Sequence, residues 1–213
     1  MIFADRVDAG TRLAEALERF AVGPSVVLAI PRGGVVVGEV VARALGAPLD
    51  VVVPRKIGAP ANPELGIGAI APGIRVLDPR MIGMLGVTQE YLEREIQTQE
   101  REIERRERTY RGNRAPVQVR GRSAIIVDDG VATGGTAIAA LRWARAAGAD
   151  RIVLAVPVAP GHSLARLREE ADDVVVLSAP DPFSAVGEWY RSFRQTSDRE
   201  VVDALARGAR SPT

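Results

Sequence analysis

The chain has 213 residues, enough for one well-buried core with a small cap or insertion. Its 28 basic residues nearly balance 27 acidic ones, giving a net charge of +1 and excluding a global field that would recruit nucleic acid. With no cysteine and one histidine, disulfides, thiolate zinc sites and imidazole-rich metal centres are excluded too.

The first residues, Met1-Ile2-Phe3-Ala4-Asp5-Arg6, contain no apolar signal core, and no run of membrane-spanning length is free of charge, Pro or Gly. A soluble, cytoplasmic protein without membrane contact is expected. Arg12 to Phe20 reads as a short amphipathic helix. After Gly23-Pro24 come a strand at Val26 to Ile30, the turn Pro31-Arg32-Gly33-Gly34, an apolar helix to about Leu45, the break Gly46-Ala47-Pro48 and a second strand at Leu49 to Val53. That order is a βαβ unit, for which parallel, right-handed pairing is expected.

Pro54 to Ala71 is rich in Gly, Pro and Ala and is read as one long loop, of the kind that serves as a lid. Within it Gly66-Ile67-Gly68-Ala69-Ile70-Ala71 imitates a dinucleotide fingerprint, but neither a strand before it nor a helix after it is expected, so that reading is rejected. A short strand is expected at Val76 and Leu77, and Asp78-Pro79 suits a helix start with Asp78 as N-cap. Thr88 to about Tyr110 reads as a long charged helix whose sparse apolar residues, Leu92, Ile96, Ile103 and Tyr110, form one narrow stripe. Glu90/Arg94, Glu102/Arg106, Glu104/Arg108 and Glu107/Arg111 are i, i+4 pairs in the favoured orientation. Such a helix lies solvated over the domain; the alternative is a homodimer contact through the stripe.

The second half alternates strand Ala124 to Val127, a helix to Ala147, strand Ile152 to Val156, helix Leu164 to Glu170 and strand Val174 to Leu177. The fold class is therefore α/β: a three-layer parallel sheet with helices on both faces, forming a single domain over residues 1–213 with a helical insertion at about 79–114 and a small C-terminal hood at about 178–213. The hood holds Phe183, Trp189 and Tyr190 and ends in a helix at Asp198 to Arg207; the tail Ser211-Pro212-Thr213 is expected to fray.

The chemistry concentrates in Ser123 to Ala140, SAIIVDDGVATGGTAIAA. Gly130, Gly134 and Gly135 allow a tight turn and a close ligand, and the N–H groups opening the next helix suit a phosphate monoester, with Thr133 and Thr136 adding hydroxyl donors. Asp128 and Asp129, as acceptors, seek hydroxyls or a metal ion instead. Phosphate at one end and hydroxyls at the other describe a ribose 5-phosphate. A Walker loop is excluded, because no lysine follows the glycines.

The run DDGVATGGT, preceded by strand residues, resembles the phosphoribosyl pyrophosphate (PRPP) motif of type I phosphoribosyltransferases and is most similar to the adenine-type variant. It departs from the hypoxanthine-guanine type, in which an aspartate stands at the place of Ala132. The resemblance implies that Gly130, Val131, Ala132, Thr133, Gly134, Gly135 and Thr136 bind the 5-phosphate while Asp128 and Asp129 hold the ribose diol as catalytic residues. It also implies a Mg2+ cofactor, held indirectly through PRPP or by Asp128 and Asp129.

Further anchors agree. Arg32, Gly33 and Gly34 offer a cation and backbone N–H groups before a helix, which suits pyrophosphate, and match the pyrophosphate loop of the resemblance. All basic residues but Lys56 are arginine; Arg55 and Lys56 open the long loop, where the resemblance implies a basic closing lid against the departing pyrophosphate. His162, just past a strand end, reads as a surface residue at a helix start; the alternative is contact with pyrophosphate or base. For the acceptor, Phe183, Trp189 or Tyr190 could stack on a ring or serve as core. The expected activity is transfer of ribosyl 5-phosphate from PRPP to a nitrogen acceptor, a nucleobase by resemblance, in nucleotide and nucleoside metabolism. The alternative is a non-catalytic PRPP or nucleotide sensor on the same fold, although no helix-turn-helix or basic face is evident.

Overall fold

The structure, a computed structural model, describes residues 1–20 and 23–208; the tail Ser211 to Thr213 lies outside the described residues. Eight strands and seven α-helices follow in chain order: α1 (Arg6–Leu17), β1 (Ser25–Ala29), α2 (Gly33–Leu45), β2 (Leu49–Val51), β3 (Arg55–Ala59), β4 (Asn62–Ala71), β5 (Ile74–Leu77), α3 (Pro79–Met84), α4 (Gln89–Arg111), β6 (Ser123–Val127), α5 (Gly135–Ala146), β7 (Arg151–Val158), α6 (Gly161–Glu170), β8 (Asp173–Ser178) and α7 (Asp198–Gly208).

Five strands form a parallel sheet in the order β2-β1-β6-β7-β8. Side chains alternate across it. Val27, Ala29, Ile125, Val127, Val153 and Ala155 face one core with Leu13 and Leu17 of α1 and Val41 of α2. Val26, Leu28, Ala124, Ile126, Ile152 and Leu154 face the other, with Ile138 and Leu141 of α5 and Leu167 of α6. A fully buried Ile, Leu or Val contributes about 1.5–3 kcal/mol on leaving water. Burial on both faces explains the continuous β-branched runs in these strands.

α1 begins before the expected Arg12, because the Asp5 side chain accepts hydrogen bonds from the N–H groups of Val7 and Asp8. The larger departure lies at Pro54 to Ala71. Instead of one loop the segment forms β3 and β4, which pair antiparallel and continue into β5 as a separate three-stranded sheet. Its small residues are structural: a Cβ on Gly58 would lie 2.7 Å from the Cα of Pro63, and one on Gly68 would lie 2.6 Å from the carbonyl oxygen of Val76. The fingerprint-like Gly66 to Ala71 is therefore part of a strand, with no helix behind it.

The long helix is α4, capped by Thr88, whose hydroxyl accepts from the Tyr91 N–H. Its stripe is not available to a second copy. Leu92, Ile96, Ile103 and Tyr110 are all buried within this chain's own core, which corrects the dimer reading of that stripe. Pairs Glu102/Arg106, Glu104/Arg108 and Glu107/Arg111 form along it, of which only Glu104/Arg108 is fully at the surface. At its end Arg111 donates to Asp50 at 2.9 Å and to the carbonyl of Val51 at 2.7 Å, tying α4 to β2. The Tyr110 hydroxyl donates to Asp198 of α7 at 3.0 Å, so α4 and the C-terminal helix close over the same sheet edge. Among the described residues no helix is long and apolar enough to cross a membrane.

Candidate active site

The sheet order sets the site. β1 and β6 are in-register neighbours from Ser25 beside Ser123 to Ala29 beside Val127, so the segments leaving their carboxyl ends emerge side by side. One is Pro31 to Gly34, in which the Pro31–Arg32 peptide is cis. The other is Asp128 to Gly134.

Contact between the two is close enough to demand glycine. A Cβ on Gly34 would lie 2.8 Å from the Cα of Asp128, and one on Gly33 would lie 1.8 Å from Asp129 Oδ2. Within the second segment Asp128 Oδ1 accepts the Asp129 N–H at 2.8 Å, and the Val131 N–H donates to the carbonyl of Val158 at 2.9 Å. Gly134, at φ 84°, turns the chain into α5 with no side-chain cap. The first N–H groups of α5 thus face outward beside Thr133 and Thr136, as an anion requires.

Here a cleft of about 530 Å3 opens, walled on one side by Gly130 to Thr136. Lys56, Glu64, Gly66 and Gly68 of the small sheet form the opposite wall, with Asp78 and Met81 at the start of α3, and Arg166 of α6 adds a second cation. Lys56 donates to the carboxylate and to the carbonyl of Glu64, both at 3.0 Å. Asp128, Asp129, Arg32, Gly33 and Gly34 are not among the residues lining the cleft; Asp128 and Asp129 directly precede its Gly130 wall, and Gly33 and Gly34 abut them from the neighbouring turn. A Cβ on Gly130 would meet Val186 at 2.5 Å, which is how closely the C-terminal segment packs on the motif.

Arg55 is placed elsewhere. Adjacent strand residues point to opposite faces; Arg55 Nε donates to Gln99 of α4 at 2.8 Å, and Arg55 is not among the residues lining the cleft. Burial first, then the neighbouring Arg106 charge, lowers its pKa from the usual arginine value. Arg32 lies 3.8 Å from Asp198 of α7. His162 is exposed in the first turn of α6. Phe183 and Trp189 stack on one another with centroids 6.4 Å apart. Tyr190 is buried between Phe3 and Phe193, and its hydroxyl donates to the carbonyl of Asp129 at 2.5 Å. Burial, reinforced by the Asp129 charge, raises the Tyr190 pKa above the ordinary phenol range.

The two acids of the motif differ in surroundings. Burial, reinforced by the adjacent Asp129 charge, pushes Asp128 well above the usual carboxylate range. Asp129 Oδ2 instead accepts from Arg6 Nε at 2.7 Å. No local pattern in the sequence signals Arg6, which 123 residues separate from its partner. Nor does one signal Glu64, since Lys56 and Glu64 become neighbours only once β3 and β4 fold back on each other. Among the described residues no three His, Cys, Asp or Glu side chains gather as metal ligands. A Mg2+ held mainly by a ligand's phosphate and sugar oxygens would find carboxyl oxygens of Asp128 and Asp129 at the motif, and its charge would have to displace the proton that burial favours on Asp128.

An acid pair, an uncapped helix start and a glycine-bared neighbouring turn thus lie together at the carboxyl edge of a parallel sheet. The chain belongs to the phosphoribosyl transferase domain family, whose family model matches residues 4–190. It is 47% identical over 210 residues to a protein of Mycobacterium tuberculosis (strain H37Rv) named "Putative phosphoribosyl transferase", and equally to the corresponding protein of strain CDC 1551. The alignment covers 98% of this chain, which spans about half (47%) of the length of those relatives. The crystal structure of TT1426 from Thermus thermophilus superposes with a TM-score of 0.82 at 45% identity, covering 97% of this chain and 99% of that one. This confirms the expected α/β fold class.

Proposed function

We propose that this domain transfers the ribosyl 5-phosphate group of PRPP to a nitrogen acceptor, a nucleobase by preference, with release of pyrophosphate in a Mg2+-dependent reaction. The observation that carries the reading is the interlock of Gly33 and Gly34 with Asp129 and Asp128. It puts a pyrophosphate-type turn and a ribose-type acid pair in contact, next to a cleft whose walls are a phosphate-type helix start and the single lysine.

In this reading the N–H groups of Gly135 and Thr136 with the hydroxyls of Thr133 and Thr136 hold the 5-phosphate. That remote binding energy aligns the reacting centre. Asp128 and Asp129 accept hydrogen bonds from the ribose diol and lie beside the anomeric carbon as positive charge develops on it. The C1–O bond to pyrophosphate breaks, the acceptor nitrogen forms the new C1–N bond, and its proton passes to solvent. Arg32 and the N–H groups of Gly33 and Gly34 face the leaving group, and Lys56 reaches it once it exchanges Glu64 for a phosphate oxygen. When bound, Mg2+ supplies charge neutralisation on the same oxygens. Arg55 supports the small sheet through Gln99 and makes no direct contact in this scheme.

The test is a panel of purine, pyrimidine and other nitrogen acceptors incubated with PRPP and Mg2+, with released pyrophosphate as readout. Acceptor-dependent release is expected. PRPP binding by calorimetry without release from any acceptor would favour the sensor reading, and absence of binding would overturn both.

A further inference from the structure

Arg6 has no part in the scheme above, yet it is among the few buried charged residues of the chain. It opens α1, and its nitrogen partners are remote in sequence. Nε donates to Asp129 Oδ2 at 2.7 Å and Nη1 donates to the carbonyl of Arg194 at 2.8 Å, while the guanidinium carbon sits 3.9 Å from the centre of the Phe193 ring. The side chains of the ion pair are 10% and 14% exposed. Stability alone does not call for this arrangement, because a buried ion pair holds a fold little better than a packed apolar pair of the same shape. What a planar guanidinium adds is direction: its donors lie in fixed positions and specify where a carboxylate stands.

The direction here matters to the motif. With Oδ2 engaged by Arg6, the Asp129 carboxylate is left with Oδ1 to offer a ligand. Its carbonyl is engaged by Tyr190 at 2.5 Å, and the space behind it is kept open by Gly33, where a Cβ would also lie 2.7 Å from Arg6 Nε. One side chain therefore joins α1, the pyrophosphate-type turn, the acid pair and the C-terminal segment.

We infer that Arg6 is a positioning residue for ribosyl transfer, fixing the Asp129 carboxylate for the sugar hydroxyls and anchoring the segment around Arg194 over the same turn. This rests on the proposed transferase reading. Asp129 meets the donor at its ribose diol while the 5-phosphate site is built from other residues, so loss of Arg6 should weaken donor binding less than it slows the reacting centre.

The experiment measures kcat and the PRPP dissociation constant of wild type, Arg6→Ala and Arg6→Lys, with and without added guanidinium ion at sub-denaturing concentration. Arg6→Ala is expected to lower kcat by about 100-fold, the scale of a small misplacement of reacting groups. PRPP affinity is expected to change far less, and guanidinium in the vacated space should restore part of kcat. Arg6→Lys, which keeps the charge but cannot bridge Asp129 and Arg194 with one planar group, should fall between. Wild-type kcat in Arg6→Ala, or equal losses of kcat and affinity with no rescue, would overturn the inference while the transferase reading stands. If Arg6→Ala does not fold, Arg6→Lys decides, and wild-type kcat there overturns the inference. A wild-type protein inactive with every acceptor sinks the transferase reading and this inference with it.

Discussion

Asp129 Oδ2 occupies the space in which a Cβ of residue 33 would stand, 1.8 Å from that position, so the carboxylate can stand there only while residue 33 is glycine. No rotation of a methyl group relieves such an overlap. Gly33→Ala is expected to displace the Asp129 carboxylate, to cost about 1–3 kcal/mol of stability as overpacking does, and to lower transfer by about 100-fold. Gly83→Ala is the control. Residue 83 lies in α3 with nothing within 4 Å of an added Cβ, so the helix should gain up to about 1 kcal/mol. Thermal melts and pyrophosphate release of both variants check the contrast.

Lys56 and Glu64 form an exposed pair, with side chains 40% and 91% accessible. Exposed pairs contribute little to stability, on the order of 0–1 kcal/mol, so changes here should read out in ligand handling. Lys56→Ala should lower turnover far more than PRPP affinity, whereas Arg55→Ala, whose partner is Gln99, should affect turnover much less. Glu64→Gln frees the ammonium and should strengthen product inhibition by pyrophosphate several-fold, an effect that fades as salt screens it. Initial rates with added pyrophosphate at two ionic strengths measure it.

Asp128→Asn should abolish transfer and stabilise the ligand-free fold. Burial and the Asp129 charge make the native chain hold the Asp128 proton more tightly than the unfolded chain does. Native stability therefore falls as pH rises from the ordinary carboxylate range through the raised native value. Asparagine keeps an oxygen for the Asp129 N–H and has no such slope. Melting temperatures of the two proteins should converge at acid pH and separate toward neutrality, with the variant higher.

Glu102 titrates in the opposite sense. Hydrogen bonds from Arg105 and Arg106 outweigh its partial burial and bring it down to about 2 from 4.5. The unfolded chain binds the proton more readily, so this contribution is present above about pH 4.5 and disappears as pH falls toward 2. Its size is about 0.3–0.5 kcal/mol per pair for charges this near the surface. Glu102→Gln should lower the melting temperature slightly at neutral pH, with the difference shrinking below about pH 4.5 and gone by about pH 2, as scanning calorimetry across that range would reveal.

The five strands of the main sheet were legible because Val26 to Ile30 or Ala124 to Val127 are buried on both faces, and such strands carry unbroken β-branched runs. The motif was legible because its glycines and acids are contiguous. The small sheet was not: Gly58, Gly66 and Gly68 look like loop residues locally, and only close approach to Pro63 and Val76 explains the first and last of them. Missing that sheet hid the alternation that sends Lys56 toward the cleft and Arg55 toward α4. The apolar stripe of α4 is plain in its spacing, but the sequence does not say that β3 and α7 of the same chain cover it.

The small sheet and its trailing helices enter the chain after β2 and leave it before β6, while the pairing of β1 with β6 is made without them. The small sheet is thus an addition to that edge in hydrogen bonding but not in packing: Ile57, Ile67 and Ile70 share a core with Val27 and Ile125, and Ala69 lies against α5. A change on its cleft-facing side would leave the β1–β6 register alone, whereas a change on its buried side would reach the helix start behind the acid pair.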